Sequence, residues 1–363
     1  MLFDLASLTK PLATAPLALE YLELDRDWRM ELGFRDWHGP ITPRLLLSHS
    51  AGLPPWLPCT GEPLFEQISK FDAWGRHSLL KRAVWGESTY SDLSYRLLAE
   101  ILEIETGRDW KDLGENLTGL KCAPWKENPV FMPPGADLEA WKIATAEPFP
   151  EPKPEKPHDA NARAGMKGHA GFAANPESAQ KWLGKWIKKY LPSMAHETCR
   201  SQEGEIWGLG LQRLRDGSGG FAMLLNGKDI QGVHIVSDAG FAPPTQVQPF
   251  DLTDPSDWWF HYGYTGPALF VEPNKGACVL ILCHRLNDAS RLLTVDELRA
   301  RRLQILEDFL RKMSYSHSTL KKLNRTVRVG CAESVVSRRK AVSGTGSADI
   351  TLILQDASQV EPL

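Results

Sequence analysis

The chain has 363 residues, 42% hydrophobic and 24% charged, a composition that excludes a disordered or fibrous protein. Its 42 basic and 45 acidic residues leave a net charge of −3, so it offers no basic footprint for nucleic acid and no polybasic patch for a membrane surface. No apolar run of about 18 residues occurs, which argues against a membrane-spanning helix, and the length suits two average domains or one large core with an inserted subdomain.

The opening MLFDLASLTK lacks a basic start, a long apolar stretch and a small-residue cleavage site, so it does not read as a secretory leader. From Leu5 to about Asp25 apolar residues recur at helical spacing (Leu8, Leu12, Ala15, Leu19, Leu22), predicting a buried amphipathic helix. Within 40–58, ITPRLLLSHSAGLPPW reads as a short helical run stopped by Gly52 and the Pro54–Pro55 pair. The clearest helix is YSDLSYRLLAEILEIETG, Tyr90 to Gly107, with an apolar stripe at Leu93, Leu97, Ile101 and Ile104 and a terminating glycine. The proline-rich EPFPEPKPEKP at 147–157 reads as an exposed extended loop.

Pro176 to Leu191 is helical again, with Trp182 and Trp186 one turn apart. Glycine-punctuated short β-type runs follow to about residue 240. Ala268–Glu272 and Ala277–Cys283 flank Pro273-Asn274-Lys275-Gly276, a hairpin signal, and a charged helix is predicted over about Val295 to Met313. The tail from Ser314 is poor in aromatics and carries two β-prone runs around a basic turn (RTVRVGCAESVVSRRKAVSG). Together these elements predict an α+β chain, an antiparallel sheet plus a helical region.

Six cysteines (Cys59, Cys122, Cys199, Cys278, Cys283, Cys331) are scattered without C-x-x-C pairs and read as buried apolar residues or free thiols. No glycine-rich phosphate loop and no acidic cluster suited to a divalent ion is visible, so no metal, nucleotide or flavin cofactor is implied. The 13 tryptophans could line a cleft, but aromatic side chains more often serve the core.

Candidate chemistry begins at Ser7-Leu8-Thr9-Lys10. On a helix, positions i and i+3 share a face, so the Lys10 amine can approach the Ser7 hydroxyl. A serine in the first turn feels the positive end of the helix dipole, and a desolvated lysine can lose its proton and act as base. Pro11 fits a first turn, where its missing N–H has no helical partner. The tetrapeptide alone is weak, because S-x-x-K also starts at Ser78, Ser178, Ser318 and Ser337. Ser7 stands out by opening a hydrophobic helix and by its companions.

The first companion is Tyr90-Ser91-Asp92. A tyrosine near a lysine and a second cation can be depressed toward the phenolate and shuttle protons. The plain alternative is a helix N-cap by Ser91 or Asp92 with Tyr90 as a packed aromatic. The second companion is His261-Tyr262-Gly263, where a cation at a strand edge can face a substrate carboxylate and a backbone N–H beside the glycine can serve an oxyanion. His169-Ala170-Gly171 shares that pattern but precedes a helix and is a rival assignment.

Five segments taken together, FDLASLTKPLATA, ITPRLLLSHSAGLP, YSDLSYRLLAEILE, HDANARAGMKGHAGF and HYGYTGPALFVEP, resemble the serine β-lactamase and penicillin-binding protein superfamily over roughly residues 1–312. The likeness is to its class C β-lactamase-like branch, which includes DD-peptidases and family VIII-type esterases. The resemblance implies a β-lactamase/transpeptidase-like α+β fold, with an antiparallel sheet flanked by helices and an all-helical region. It implies a catalytic domain over 1–313, with the helical region inserted at about 25–200. Ser7 would be the acylated nucleophile, Lys10 its neighbouring base or relay, and Tyr90 the proton shuttle. Asp92 would stand in place of the more usual asparagine and His261 where many members have lysine. Gly263 would leave room for substrate, and the backbone N–H groups of Ser7 and Tyr264 would form the oxyanion hole. His169 would be structural, behind the reacting groups.

Relatives carry two sheet strands before the serine helix, whereas only six residues precede Ser7 here. Either the tail 314–363 supplies those strands by circular permutation, with residues about 327 to 336 pairing against Ala277 to Cys283, or it is an unrelated extension. The leading function is a serine hydrolase forming an acyl-enzyme on a D-alanyl peptide, a β-lactam or a small ester. Histidine at 261, with only a conditional charge, favours a peptidase or esterase over an efficient β-lactamase. The alternative is a non-catalytic protein that binds or senses cell-wall peptide. A small-molecule or peptidoglycan-peptide substrate is expected, with no nucleic acid and no stable membrane insertion. The resemblance points to the cell envelope, although no export signal is visible.

Overall fold

The fold was analysed in a computed structural model, which describes residues 2–57, 59–73, 84–124, 157, 159–202, 204–213, 258–264, 266–274, 277–283, 302, 327–329 and 350–356. The proline-rich loop before Pro157, the closing helix other than Arg302, and the tail runs outside the last two segments lie outside the described residues.

Strand β1 (Phe3–Asp4) leads into a 3₁₀ turn at Ala6–Leu8, a π turn at Lys10–Thr14 and helix α1 (Ala15–Tyr21). Helices α2 (Pro43–Leu47), α3 (Leu64–Ala73), α4 (Asp92–Thr106) and α5 (Trp110–Thr118) follow. Next come β2 (Lys121–Cys122), α6 (Ala160–Arg163), β3 (Phe172–Ala174), α7 (Pro176–Lys189) and α8 (Leu191–Met194). The remainder is strand: β4 (Cys199–Arg200), β5 (Ile206–Trp207), β6 (Gln212–Arg213), β7 (Trp259–Tyr262), β8 (Ala268–Glu272), β9 (Ala277–Cys283), β10 (Val327–Val329) and β11 (Ile350–Asp356).

The first segment is helical as its periodicity predicts, but two prolines divide it. Pro16 has no N–H for the Leu12 carbonyl, and the Ala15 N–H turns to Lys10 in the π register, leaving the Pro11 carbonyl free as well. Two tryptophans of α7 repair both defects. Trp182 Nε1 donates to the Leu12 carbonyl at 2.8 Å and Trp186 Nε1 to the Pro11 carbonyl at 2.9 Å. Their spacing of four puts both indoles on one face, and both side chains are buried. The pair that suggested core packing also fixes the helix carrying Ser7 and Lys10.

Ser91 caps α4 by accepting the Ser94 N–H, and Gly107 closes the helix at φ 65°, a left-handed conformation that suits glycine. Leu93, Leu97 and Ile101 are buried, but Ile104 is 53% exposed, contrary to the expected stripe. The buried face is wider than that stripe and is centred toward Leu97, Leu98, Ile101 and Leu102, which leaves Ile104 at its edge in the last turn of the helix. Helix α2 ends at Leu47, and His49, rather than Gly52, makes the left-handed exit at φ 59°.

Among the described residues an antiparallel sheet runs β10-β11-β9-β8-β7-β6-β5-β4, and a small sheet runs β1-β3-β2. The β8–β9 hairpin occupies the residues its alternation predicts. The tail does join the sheet, but Ile350–Asp356 pairs with β9 along seven residues, from Ile350↔Cys283 to Asp356↔Ala277, while Val327–Val329 lies one strand further out. The expected pairing of 327–336 with β9 is therefore corrected: the longer run ITLILQD matches β9 residue for residue and covers more of its open edge. Buried residues of α1, α2, α4, α5 and α7 share one core with inward residues of β7, β8 and β9. Among the described residues no helix is long and apolar enough to cross a membrane, and Cys59, Cys122, Cys199 and Cys278 are free thiols.

Candidate active site

Ser7 sits at the junction of β1 and the first helical turn. The Asp4 carboxylate accepts the Ala6 N–H at 2.8 Å, and Ala6 takes a left-handed φ of 45° that costs a non-glycine residue about 1 kcal/mol. The bend leaves Ser7 partly exposed between buried Ala6 and Leu8. One turn on, Lys10 is fully buried. Its Nζ donates to Ser7 Oγ at 3.0 Å and to the His169 carbonyl at 3.2 Å, and forms an ion pair with Asp92 Oδ1 at 2.7 Å.

That pattern fits an ammonium rather than a free amine. Burial disfavours the charge, but the Asp92 carboxylate and the Tyr90 oxygen outweigh it and raise the Lys10 pKa above its ordinary value. The expectation that desolvation alone leaves Lys10 a resting base is corrected by its counter-ion.

Tyr90 precedes the N-cap of α4. The residue is 37% exposed, its hydroxyl lies within hydrogen-bonding reach of Lys10 and Ser7, and Lys10 Nζ stands 4.9 Å from the ring centroid. Burial raises the phenol pKa, the Lys10 charge lowers it and Asp92 raises it, for a net rise. Tyr90 is thus a phenol, not the phenolate expected from a second nearby cation. The plain reading of Tyr90-Ser91-Asp92 holds, with Ser91 as the cap, and the segment it starts sets Asp92 and Tyr90 beside Lys10.

Sequence reasoning passed over His49, although it lies in the LLLSHSAGLP run. It is buried, its Nδ1 accepts the Ser91 N–H at 3.1 Å, and its ring packs against Tyr90 at a tilt of 38° with centroids 4.7 Å apart. Burial, then the charge of Lys10, holds its pKa well below the ordinary value, so it is a neutral wall behind the phenol. Asp159 was also missed. It pairs with His169 Nε2 at 2.8 Å, and although burial opposes it, the His169 contact holds Asp159 well below the usual carboxylate range. The His169 carbonyl accepts from Lys10 at 3.2 Å and its ring turns to Asp159. Neighbouring Gly168, at φ 91°, lies so close to helix α4 that a Cβ would stand 1.9 Å from the Tyr95 carbonyl oxygen.

Strand β7 closes the other side. Trp259, His261 and Gly263 share one face, and a Cβ on Gly263 would come within 2.7 Å of the Leu5 carbonyl oxygen, so glycine permits this strand to reach the Ser7 segment. His261 is buried with its ring centroid 5.9 Å from that of Tyr90. Burial, with the Lys10 charge, pushes its pKa down to about 3, which corrects the expectation of a cation at this position. Tyr264 follows, 46% exposed at the rim. Buried Arg302 was not foreseen. It donates from Nε to the Gly266 carbonyl at 2.6 Å and from Nη2 to the Gly263 carbonyl at 2.5 Å, fixing the turn that carries the Tyr264 N–H. A charged residue within a charged helix pattern gives no signal of such a role.

Asp92, Asp159 and His169 each place a potential ligand atom within 4.8 Å of the others. The Lys10 ammonium, 2.7 Å from Asp92, already supplies the positive charge a metal would bring, so the donor set fits the lysine better than a divalent ion. The structure therefore brings Ser7, Lys10, Tyr90, Asp92 and His261 into one cleft, with Gly263 beside it.

A family model described as Beta-lactamase matches residues 1–304. No curated protein sequence matches significantly. Similar solved structures include SurE (19% identity, 75% of this chain and 57% of that one, TM-score 0.42). A beta-lactamase from Mycobacterium bovis shows 17% identity over 85% of this chain and 88% of that one, TM-score 0.45. A class C beta-lactamase shows 14% identity over 86% of this chain and 82% of that one, TM-score 0.48. The chain thus spans little more than half the length of SurE.

Proposed function

Because the chain belongs to the beta-lactamase family, we propose that it is a serine hydrolase that forms an acyl-enzyme on Ser7, with small esters and peptide amides preferred to β-lactams. One observation carries the reading: the Ser7 hydroxyl, the Lys10 amine and the Tyr90 phenol lie within hydrogen-bonding reach of one another.

The chemistry needs Lys10 in its minority amine form. Ser7 Oγ attacks the acyl carbon, a C–O bond forms, and the hydroxyl proton passes to Lys10 Nζ. The backbone N–H groups of Ser7 and Tyr264 receive the negative charge on the carbonyl oxygen. Tyr90 then gives its proton to the departing alkoxide or amine and recovers one from the Lys10 ammonium. Deacylation repeats the relay with water as nucleophile, its proton passing to Tyr90 and Lys10 and then to Ser7 Oγ. The neutral His261 offers no charge for a substrate carboxylate, which is why β-lactams rank below esters and amides.

A fluorescent fluorophosphonate and a fluorescent penicillin test the reading. Labelling by the first that vanishes in Ser7→Ala, with weaker penicillin labelling, is the expected outcome. A folded wild-type protein that takes up neither reagent would instead support a non-catalytic binder of cell-wall peptide.

A further inference from the structure

On strand β7, His261 Nε2 is buried and has no hydrogen-bond partner. Its counterpart Nδ1 lies 3.1 Å from the Tyr262 carbonyl. A carbonyl only accepts, so Nδ1 carries the proton of the neutral ring and Nε2 presents a lone pair. Strand alternation puts His261 on the face of β7 that meets the Ser7 segment, whereas Tyr262 points to the other face against Phe270. The free edge of the imidazole therefore stands on the cleft side, near Tyr90.

Resting on the hydrolase reading, we propose that His261 Nε2 is a specificity subsite that accepts a hydrogen bond from a neutral N–H or O–H of the substrate. A carboxylate would set two acceptors against each other. A substrate ammonium would meet the field of Lys10, which is close enough to help keep the imidazole itself unprotonated. A carboxamide or hydroxyl satisfies the lone pair without either conflict, and it relieves a buried acceptor that is costly to leave unpaired.

Three aryl butyrates, whose leaving phenol carries a carboxamide, a methyl ester or a carboxylate at the same ring position, test this in meta and para series. The full-length protein is expected to favour the carboxamide over the methyl ester by about tenfold or more in kcat/KM in at least one series, with the carboxylate poorest in both. His261→Lys, which replaces the acceptor by a cationic donor, is expected to move the carboxylate to the top. A wild-type protein that handles the carboxylate as well as the carboxamide in either series would overturn the subsite. Nitrogen-15 NMR of the imidazole needs no variant: an Nε2 that carries the proton between pH 6 and 8 also overturns it. Turnover without the stated ranking sinks the subsite alone. The absence of any turnover and of any butyryl adduct on Ser7 sinks the hydrolase reading as well.

Discussion

Asp92→Asn probes what holds Lys10 in its resting state. The wild-type ion pair spans 2.7 Å, and at an effective dielectric of about 20 the gross attraction is roughly 6 kcal/mol. Desolvation of the buried ammonium offsets part of that, leaving a net rise in the Lys10 pKa. An amide is nearly the size of the carboxylate but uncharged, so Lys10 loses its counter-ion while keeping its surroundings. In the wild type the acid limb of kcat/KM should lie above pH 10, with activity rising through neutral and mildly alkaline pH, because the pair raises Lys10 above 10.5. In Asp92→Asn that limb should fall, so that the rate levels off within the assayed range instead of rising throughout it. The assay is initial-rate hydrolysis of an amide substrate with a fluorogenic leaving group across pH 6 to 10, since amides resist background alkaline hydrolysis. The position of the limb is the readout, because its height also reflects orientation lost with the hydrogen bond. A limb that stays in place or moves upward would refute the claim that Lys10 is the proton acceptor gated by Asp92.

Acid stability follows from the two buried neutral histidines. The unfolded chain takes up protons near pH 6.5, but folded His261 does so only near 3 and folded His49 well below its ordinary value, so stability is full above about 6.5 and falls as pH drops. Each should contribute about 1.4 kcal/mol per pH unit in that window. Urea denaturation at pH 7, 6 and 5 measures the slope, and His261→Gln should remove about one proton from it; an unchanged slope would contradict the assignment. Gly263→Ala forces a Cβ to 2.7 Å from the Leu5 carbonyl oxygen, displacing β7 from Ser7. Its kcat should fall about 100-fold with a smaller change in KM, and wild-type kcat would show that the close approach is irrelevant. Trp182→Phe leaves the Leu12 carbonyl without its donor and should cost about 1–3 kcal/mol by urea denaturation; a loss under about 0.5 kcal/mol would count against that bond's role.

Local periodicity was legible where one element satisfied its own backbone. Most of the α4 stripe (Leu93, Leu97 and Ile101, but not Ile104), the α7 helix and the β8–β9 hairpin follow from spacing and turn residues, and the family likeness grouped Ser7, Lys10, Tyr90, Asp92 and His261 before any geometry was known. What spacing could not convey was charge state. Lys10, Tyr90 and His261 all carry protonation states other than those expected, because each depends on surroundings assembled from distant parts of the sequence: the Asp92 carboxylate for the lysine, burial and then Lys10 for the histidine, burial for the phenol. Contacts made through the backbone were equally hidden. The His169 carbonyl on Lys10, the tryptophan bonds to the Pro11 and Leu12 carbonyls, and the Arg302 fork on Gly263 and Gly266 depend on main-chain atoms that every residue possesses. The tail strand ITLILQD has a β-prone composition, but its choice of β9 as neighbour is a long-range pairing that composition does not encode.

Covalent capture at the nucleophile tests the central claim most directly. The full-length protein is incubated with p-nitrophenyl butyrate, quenched in acid within the first turnover, and analysed by intact-mass and peptide-fragment mass spectrometry. The account predicts a single butyryl group on the peptide containing Ser7, lost on longer incubation and missing from Ser7→Ala. An adduct on any other residue, or p-nitrophenol released with Ser7→Ala as fast as with the wild type, would contradict it.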